Sequence, residues 1–365
     1  RENQPDRNLQ TPRPRHPRES DLIRRLNMPA VNGKKLMSAL PDVLYHYCSM
    51  SAFKGIIESK SIWLTDVQQS NDSEEIRWIY KNVPAYISEA LDTYGKKLAS
   101  GIQETNEAHA KRLTETLKAI YVIRNGLPRI NNTTEAFCLS KNGDSLSQWR
   151  SYADDGRGIS IGFSTQLFAD YYNRTVTGLN AKQWQKSSQM GTMQNLCLQA
   201  VNYCEVSKTY LKVLIPLDFS SGEILQGIYK KMDDLSLHAP LYKNPAFREE
   251  AEWRLFLQIP DGILKESDNG EGVTLQTHKS VMEYLISSSQ NFEIKFDNFM
   301  VSRDNIVRYV ELKFQHPEKM ISEIILGPKC KANEKNVRSY LRHYGFITDD
   351  NEKNVKIHHS SATYR

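Results

Sequence analysis

Three polar side chains lie at the edges of predicted strands, where they could take part in chemistry. His46 lies inside the strand sequence LYHY, Tyr152 closes a short helix, and Glu252 opens the strand in REEAEWRLF. Because successive side chains of a strand point to opposite faces, His46 points away from Tyr45 and Tyr47. If His46, Tyr152 and Glu252 edge one cleft, an imidazole, a phenol and a carboxylate are available for catalysis.

Each of these residues also has an ordinary structural interpretation. A lone histidine in a strand is usually a hydrogen-bonded core or edge residue. Glu249, Glu250 and Glu252 fit a solvated acidic turn, with Arg248 and Arg254 as counter-charges. Taken one at a time, the structural interpretation is favoured, and only their convergence would indicate a catalytic site.

Metal and phosphate chemistry are weakly indicated. Asp72, Asp154, Asp155 and Glu252 are numerous enough to hold a divalent metal, but no spacing demands it. Asn71 and Asp72 favour an Asx-turn over a cleft border. The sequence contains no Walker or Rossmann glycine-rich loop, which disfavours P-loop NTPases and dehydrogenases.

Residues 136–163, AFCLSKNGDSLSQWRSYADDGRGISIGF, predict strand, turn, short helix, tight turn and strand. Asp144 or Ser145 is expected to cap the helix through its side-chain oxygen. Trp149 and Tyr152 are three residues apart, so they share one face of that helix. We expect Trp149 to pack in the core, while core packing and cleft lining stay open for Tyr152. The turn DDGRG, residues 154–158, is expected to face solvent.

Composition places only broad limits on function. The 48 basic and 43 acidic residues leave a formal net charge of +5, which does not by itself indicate nucleic acid binding. No apolar run approaches the roughly 20 residues of a membrane helix. Five scattered cysteines without a CxxC pair, and histidines without HxxxH spacing, favour a reducing cytoplasm over disulfides or structural zinc.

Hydrophobic patterning predicts an α+β fold with a mixed sheet interrupted by helical insertions. Residues 1–30 form a basic, proline-rich lead that is expected to be disordered. Residues 31–365 are expected to form a single domain, with a helical insertion over residues 74–125. Strands are predicted at 44–48, 61–64, 252–259, 308–314 and 321–326, and helices at 219–240 and 331–344.

Several of these segments together resemble the uncharacterised bacterial DUF2971 family. The similar pieces are LYHYCSMSAFKGIIESKSIWLT with SNDSEE, then the stretch over residues 136–163, YKNPAFREEAEWRLF, YVEL, ISEIILGPK and the terminal Ser361…Tyr364-Arg365. They span the chain from about residue 43 to its end, without the helical insertions. This family name carries no activity.

A second resemblance implies a chemistry. LYHYCSMSAFKGIIESKSIWL and EAEWRLFL are similar to the histidine-bearing and glutamate-bearing segments of DarT-like and related ADP-ribosyltransferases. The resemblance implies a split antiparallel sheet of the ADP-ribosyltransferase fold that binds NAD as a substrate. His46 corresponds to the family's histidine, Glu252 to its glutamate, and Tyr152 to its middle residue, although the family carries that residue on a strand. Lys60 stands where the family usually has a glycine after the first helix.

The implied mechanism assigns roles to particular side chains. A carboxylate at Glu252 would stabilise positive charge on the ribose as the nicotinamide–ribose bond breaks. His46 would donate a hydrogen bond to a ribose hydroxyl, and an aromatic ring would stack on nicotinamide. The residues expected to contact the cofactor are His46, Tyr47, Ser49, Trp149, Arg150, Arg157 and Arg254, with the arginines on the pyrophosphate.

Three functions follow as hypotheses. The first is an NAD-dependent ADP-ribosyltransferase-like enzyme, a toxin or phage-defence effector acting on nucleic acid or protein. The second is a non-enzymatic module that recognises a nucleotide or nucleic acid in a cleft at Trp149 and Tyr152. The third is a metal-dependent nuclease.

Overall fold

The structure is a computed structural model in which one unit, Ala39–Arg365, contains every described residue. The basic lead and domain boundary predicted near residue 30, and the loop 70–72, lie outside the described residues. These are residues 40–69, 74, 76–99, 107, 111, 114–116, 118, 132–168, 196–214, 217, 224–260, 265–266, 273–274, 291–302, 305–351 and 354–364.

Strands and helices alternate along the described chain. In the first half these are β1 Val43–Cys48, α1 Met50–Ser59, β2 Ser61–Asp66, α2 Val83–Ala99, β3 Asn132–Ser140, α3 Leu146–Tyr152, β4 Ile159–Ser164, β5 Cys197–Ala200, β6 Asn202–Tyr203 and α4 Lys208–Leu214. In the second half they are α5 Ile224–His238, β7 Tyr242–Lys243, β8 Glu252–Pro260, β9 Lys265–Glu266, β10 Val273–Thr274, β11 Phe292–Ser302, β12 Asn305–Phe314, β13 Ile321–Leu326, α6 Glu334–His343 and β14 Lys356–His359. Short 3₁₀ helices include Ala239–Leu241 and Pro245–Glu250.

Ten of the described strands form one mixed sheet, which confirms the predicted α+β class. The continuous order is β11-β12-β2-β3-β1-β4-β13-β14, and β8 joins the opposite edge of β3 and carries β5 beyond it. The strands pair antiparallel except for β13 with β14. Because β3 has three strand neighbours, the sheet divides at this strand.

Local signals explain the turn between β1 and β2. Ser49 is the N-cap of α1, and its Oγ accepts a hydrogen bond from the Ala52 N–H over 3.2 Å. Phe53 and Ile57 form the buried stripe of this helix. Lys60 ends α1 in the left-handed conformation at φ 53°, which is the conformation that a glycine would adopt without strain.

The predicted strand, helix and strand over residues 136–163 are confirmed, but the capping chemistry differs. Ser145 is the N-cap residue of α3, yet its hydroxyl does not cap the helix. Asp144 instead accepts from Trp149 Nε1 over 2.7 Å and from the backbone and hydroxyl of Ser361. The Asp144 side chain therefore joins α3 to the end of the chain.

The acidic turn after α3 is also held by the end of the chain. Asp155 accepts hydrogen bonds from the Tyr364 hydroxyl over 2.6 Å and from Lys329 Nζ over 2.8 Å. Gly156 has φ +82°, and a Cβ there would lie 3.1 Å from Pro328. The expectation that the whole turn faces solvent is wrong, because only Asp154 and Arg157 are exposed.

The two faces of the sheet differ. On the core face, phenylalanine rings from β3, β4, β11 and β12 pack with Phe168 and Phe346, at centroid distances of 5.8–6.4 Å. On the opposite face, α3 packs through Trp149 onto Tyr47 and Ile325. The Gln258 side chain donates to the Ser236 carbonyl, which brings α5 to this face of β8.

Other elements agree with the predictions in part. The predicted insertion over residues 74–125 contains α2, and residues 107, 111, 114–116 and 118 are helical. Within the part of the chain that the structure describes, no helix has the length and hydropathy needed to cross a bilayer. All five cysteines are free thiols.

Candidate functional site

The candidate site lies where the sheet divides, which we call the fork. One edge of β3 pairs with β8 along its whole length. The other edge pairs with β2 at Ala136 and with β1 at Ser140. Between these two points, β1 and β2 lead away from β3, and the exposed side chain of Cys138 lies in the opening.

His46 lies at the fork on the β1 side. Its Nδ1 lies 2.9 Å from the carbonyl oxygen of Cys138, and its ring stacks on Phe137 at 4.2 Å. Because a carbonyl can only accept, Nδ1 carries the hydrogen. Burial lowers the pKa of His46 to about 4, so the imidazole is neutral at pH 7. Nε2 is then a hydrogen-bond acceptor. The expectation that His46 donates a hydrogen bond to a ribose hydroxyl is therefore reversed, because Nε2 would accept one instead.

Glu252 opens β8, as predicted, but its carboxylate is buried rather than solvated. Arg254 Nε donates to Oε1 over 2.7 Å, and Lys243 Nζ donates to Oε2 over 3.1 Å. The Cys138 thiol also hydrogen-bonds this carboxylate. Although burial by itself would raise the pKa of Glu252, Arg254 and Lys243 lower it to about 2. Glu252 is therefore ionised throughout the physiological range.

Tyr152 belongs to the same polar network. Its hydroxyl donates to Glu250 Oε1 over 2.9 Å, and Lys243 Nζ donates to Glu250 Oε2 over 2.7 Å. Burial raises the pKa of the Tyr152 phenol, which therefore stays protonated. The side chain is 39% exposed, so part of the ring is accessible. Lys243 thus links Tyr152 and Glu250 to Glu252.

His46 reaches this network from the other face of the sheet. Tyr45 pairs with Ser140, and Ser140 pairs with Glu252, so these three side chains share one face. His46 follows Tyr45 and starts on the core face. Both His46 and Glu252 nevertheless contact Cys138, one through its carbonyl and one through its thiol. At the fork, Cys138 is therefore in contact with His46 from the core face and with Glu252 from the opposite face.

Three of the expected cofactor contacts are occupied by the protein itself. Trp149 is fully buried, which corrects the idea that its ring lines a cleft. Arg254 is buried, and its Nη1 donates to the Pro240 carbonyl in addition to its pairing with Glu252, so it is not placed to bind a pyrophosphate. Tyr47 is buried and its hydroxyl donates to the Asn142 carbonyl over 2.7 Å.

The remaining expected contacts are more accessible. Arg150 is exposed on α3, with its guanidinium carbon 5.8 Å from the centre of the Tyr364 ring. Arg157 is exposed beyond α3 and lies 3.9 Å from Asp155. The Ser49 hydroxyl lies 2.9 Å from the Ser51 hydroxyl at the start of α1.

Two of the described carboxylates among those considered for a metal have other partners. Among the residues that the structure describes, no three His, Cys, Asp or Glu side chains are arranged to hold a metal ion. Asp155 is paired with Lys329, and Glu252 with Arg254 and Lys243, while Asp72 lies outside the described residues.

Comparison with protein families finds a similarity over part of the chain. The model of DUF2971, a family of proteins of unknown function, matches residues 148–255. This match runs from α3 into β8 and includes Tyr152 and Glu252 but not His46. No curated protein and no solved structure matches the chain. The comparisons give no support to the resemblance to DarT-like ADP-ribosyltransferases.

Sequence reasoning missed Lys243 and Cys138. Lys243 lies in the two-residue strand β7, which is too short to have a periodic pattern. No local pattern therefore indicates that its ammonium group pairs with Glu250 and Glu252, seven and nine residues further along the chain. Cys138 lies in a predicted strand, and the spacing of the five cysteines does not distinguish it from the other four. The one available signal was the alternation of β3, which places Cys138 and Ser140 on the same face.

Proposed function

We propose that this chain breaks the nicotinamide–ribose bond of NAD at the fork and transfers ADP-ribose to water or to a nucleic-acid or protein acceptor. The observation that supports this most is the convergence of a neutral imidazole and an ionised carboxylate on Cys138, where the sheet divides. A divided sheet is also what the resemblance to ADP-ribosyltransferases implies. A ligand in the opening would contact side chains from both faces.

The chemistry requires negative charge beside the ribose. When the bond between C1′ and the pyridinium nitrogen breaks, both electrons pass to nicotinamide and the positive charge moves to the ribose. An ionised carboxylate stabilises that charge. Glu252 supplies it, but with a pKa of about 2 it is a weak base. The proton of the attacking hydroxyl therefore passes to solvent.

Other side chains around the fork would position the substrate. His46 Nε2 accepts a hydrogen bond from a ribose hydroxyl, because its Nδ1 is held by the Cys138 carbonyl. The exposed part of the Tyr152 ring lies beside Glu250 and contacts nicotinamide. Arg150 and Arg157 are exposed near the end of α3 and attract the pyrophosphate.

The test is nicotinamide release from NAD by purified protein. Glu252→Gln keeps the shape of the side chain and removes its charge, so turnover should fall by at least about 100-fold, the scale of losing one electrostatic contact in a transition state. Release per folded molecule should be measured, with the folded fraction taken from circular dichroism, because removing one partner of a buried ion pair also destabilises the fold.

Glu135→Gln is the matched control. Glu135 is also buried, lies on the neighbouring strand β3 and is paired with an arginine, Arg308, over 3.1 Å. Its carboxylate is paired with Arg308, and the proposal gives it no contact with the ribose, so this variant should keep its turnover. Equal turnover in the wild type and in Glu252→Gln would exclude the proposed role, and so would the absence of any NAD cleavage by the wild type.

A second function, nucleotide binding without turnover, is favoured by the pairing of Glu252. Lys243 and Arg254 both contact its carboxylate and offset its field at a ribose. In that case ADP-ribose should bind without nicotinamide release, and its affinity should survive Glu252→Gln. Isothermal titration calorimetry together with the release assay separates the two functions.

A further inference from the structure

The arm of the fork formed by β2 and β12 carries an exposed pair of aromatic rings. Trp63 and Tyr309 stack with centroids 4.2 Å apart and planes at 26°. Trp63 is 40% exposed, so the pair leaves an indole surface open to solvent. A large indole left open on a sheet is a surface on which another planar ring can stack.

The register places this pair on the same face as Glu252. Thr65 of β2 pairs with Ala136 on one side and with Tyr309 on the other. Trp63 lies two residues before Thr65, and Cys138 lies two residues after Ala136, so Trp63 and Cys138 share that face. Trp63 therefore stands across the opening from Cys138, whose thiol bonds the Glu252 carboxylate.

The separation between Trp63 and Glu252 decides which part of a dinucleotide could reach the pair. Two strand spacings and two residues along the strand put their backbones about 12 Å apart, before the opening of the fork adds to it. A nicotinamide bonded directly to the ribose beside Glu252 is too close to that carboxylate to stack on Trp63. The second base of the dinucleotide is separated from the first by two riboses and the pyrophosphate.

We propose that Trp63, supported by Tyr309, is the stacking surface for the adenine end of the dinucleotide. This inference rests on the proposed function in taking NAD as the ligand. It assigns Tyr152 and Glu252 to the nicotinamide ribose, and Trp63, on the arm formed by β2 and β12, to the purine. Because the adenine stack is the same before and during reaction, it contributes to binding rather than to the rate of bond breaking.

The test compares the affinities of three probes by calorimetry: ADP-ribose, AMP and nicotinamide mononucleotide. Trp63→Ala should weaken the binding of ADP-ribose and of AMP by about 5- to 150-fold, which is the effect of removing a ring on which a base stacks. The affinity for nicotinamide mononucleotide should change by less than about twofold. Phe299→Ala is the control, because Phe299 is an aromatic residue on the neighbouring strand β11 and is 59% exposed.

Trp63→Phe provides a variant that keeps a stacking ring if Trp63→Ala does not fold. It should retain the affinity for ADP-ribose within a few-fold but lose the quenching of tryptophan fluorescence that the ligand causes in the wild type. Unchanged ADP-ribose affinity in Trp63→Ala, or unchanged quenching in Trp63→Phe, overturns the assignment. The assignment is also overturned if Trp63→Ala loses more affinity for nicotinamide mononucleotide than for AMP, or if the wild type binds none of the probes.

These outcomes separate the two proposals. If Trp63→Ala weakens ADP-ribose binding while the wild type releases no nicotinamide, the stacking surface stands and the enzymatic proposal fails. If the wild type cleaves NAD, Trp63→Ala should raise KM and leave kcat nearly unchanged, as expected for an interaction made equally in the ground and transition states. If Trp63→Ala cleaves NAD with an unaltered KM, the stacking proposal fails while the enzymatic proposal stands.

Discussion

Glu135 shows how burial changes the chemistry of one carboxyl group. It lies on the core face of β3, where Arg308 Nη2 donates to Oε1 and where Oε2 has no hydrogen-bond partner. Burial raises the pKa of Glu135 to about 7, because Arg308 offsets only part of the desolvation and Asp66 adds a like charge nearby. At neutral pH this side chain is divided between its neutral and charged forms.

This predicts a pH dependence of stability. Between about pH 4.5 and 7 the folded chain keeps a proton on Glu135 that the unfolded chain releases, so the free energy of unfolding falls as pH rises, by up to about 3 kcal/mol. Glu135→Gln should remove this decline and be more stable than the wild type at pH 8. Urea unfolding between pH 4.5 and 8 measures it, with the exposed Glu293→Gln as control. A decline that persists in Glu135→Gln would contradict the assignment.

At the scale of elements, α1 ends under strain. Lys60 adopts φ 53° and ψ 42°, and its N–H donates to the Ile56 carbonyl in the manner of a glycine C-cap. A side chain with a Cβ is disfavoured in this conformation. Lys60 is held in this conformation because the next residue, Ser61, begins β2 and pairs with Lys313 of β12.

Lys60→Gly should therefore stabilise the protein, by roughly 0.5–1 kcal/mol after the added flexibility of the unfolded glycine is counted. Chemical denaturation at pH 7 measures the change. Lys54→Gly, in the exposed interior of the same helix, should destabilise by about 1 kcal/mol. If both glycines destabilise to the same extent, relief of strain at Lys60 is not the governing effect.

At the scale of the whole molecule, the end of the chain closes over α3. Asp144 bonds Ser360, Ser361 and Trp149, and so joins positions 217 residues apart. These hydrogen bonds lower the pKa of Asp144 even though its burial opposes that change. The contacts connect the last described residues to the helix that carries Tyr152.

Asp144→Ala should destabilise the protein by about 2–4 kcal/mol, because it leaves the buried Trp149 N–H and the serine hydroxyls without their acceptor. Thermal unfolding followed by circular dichroism measures the loss. Asp154→Asn is the control, since Asp154 is exposed and asparagine tolerates its φ of 49°. A loss of similar size in both variants would show that the closure by Asp144 adds little.

Local sequence patterns predict the individual strands and helices. The strands that contain His46, Cys138 and Glu252, the cap at Ser49 and the helix that ends at Tyr152 follow from signals within a few residues of each position. The burial of Trp149 was predictable because a large apolar ring on a short helix has few alternatives. The α+β class follows from the same local patterns.

The fork, and the protonation states of the side chains at it, depend on contacts between distant segments of the chain. That β1 and β2 share one edge of β3 depends on the pairing of Tyr45 with Ser140, 95 positions apart, and of Thr65 with Ala136, 71 positions apart, which no local pattern encodes. The ion pairs of Glu252 with Lys243 and Arg254, and the accepting role of His46 Nε2, depend on burial and on partners from other segments. A sequence shows which groups can ionise, but their pKa values are set by what the folded chain places around them.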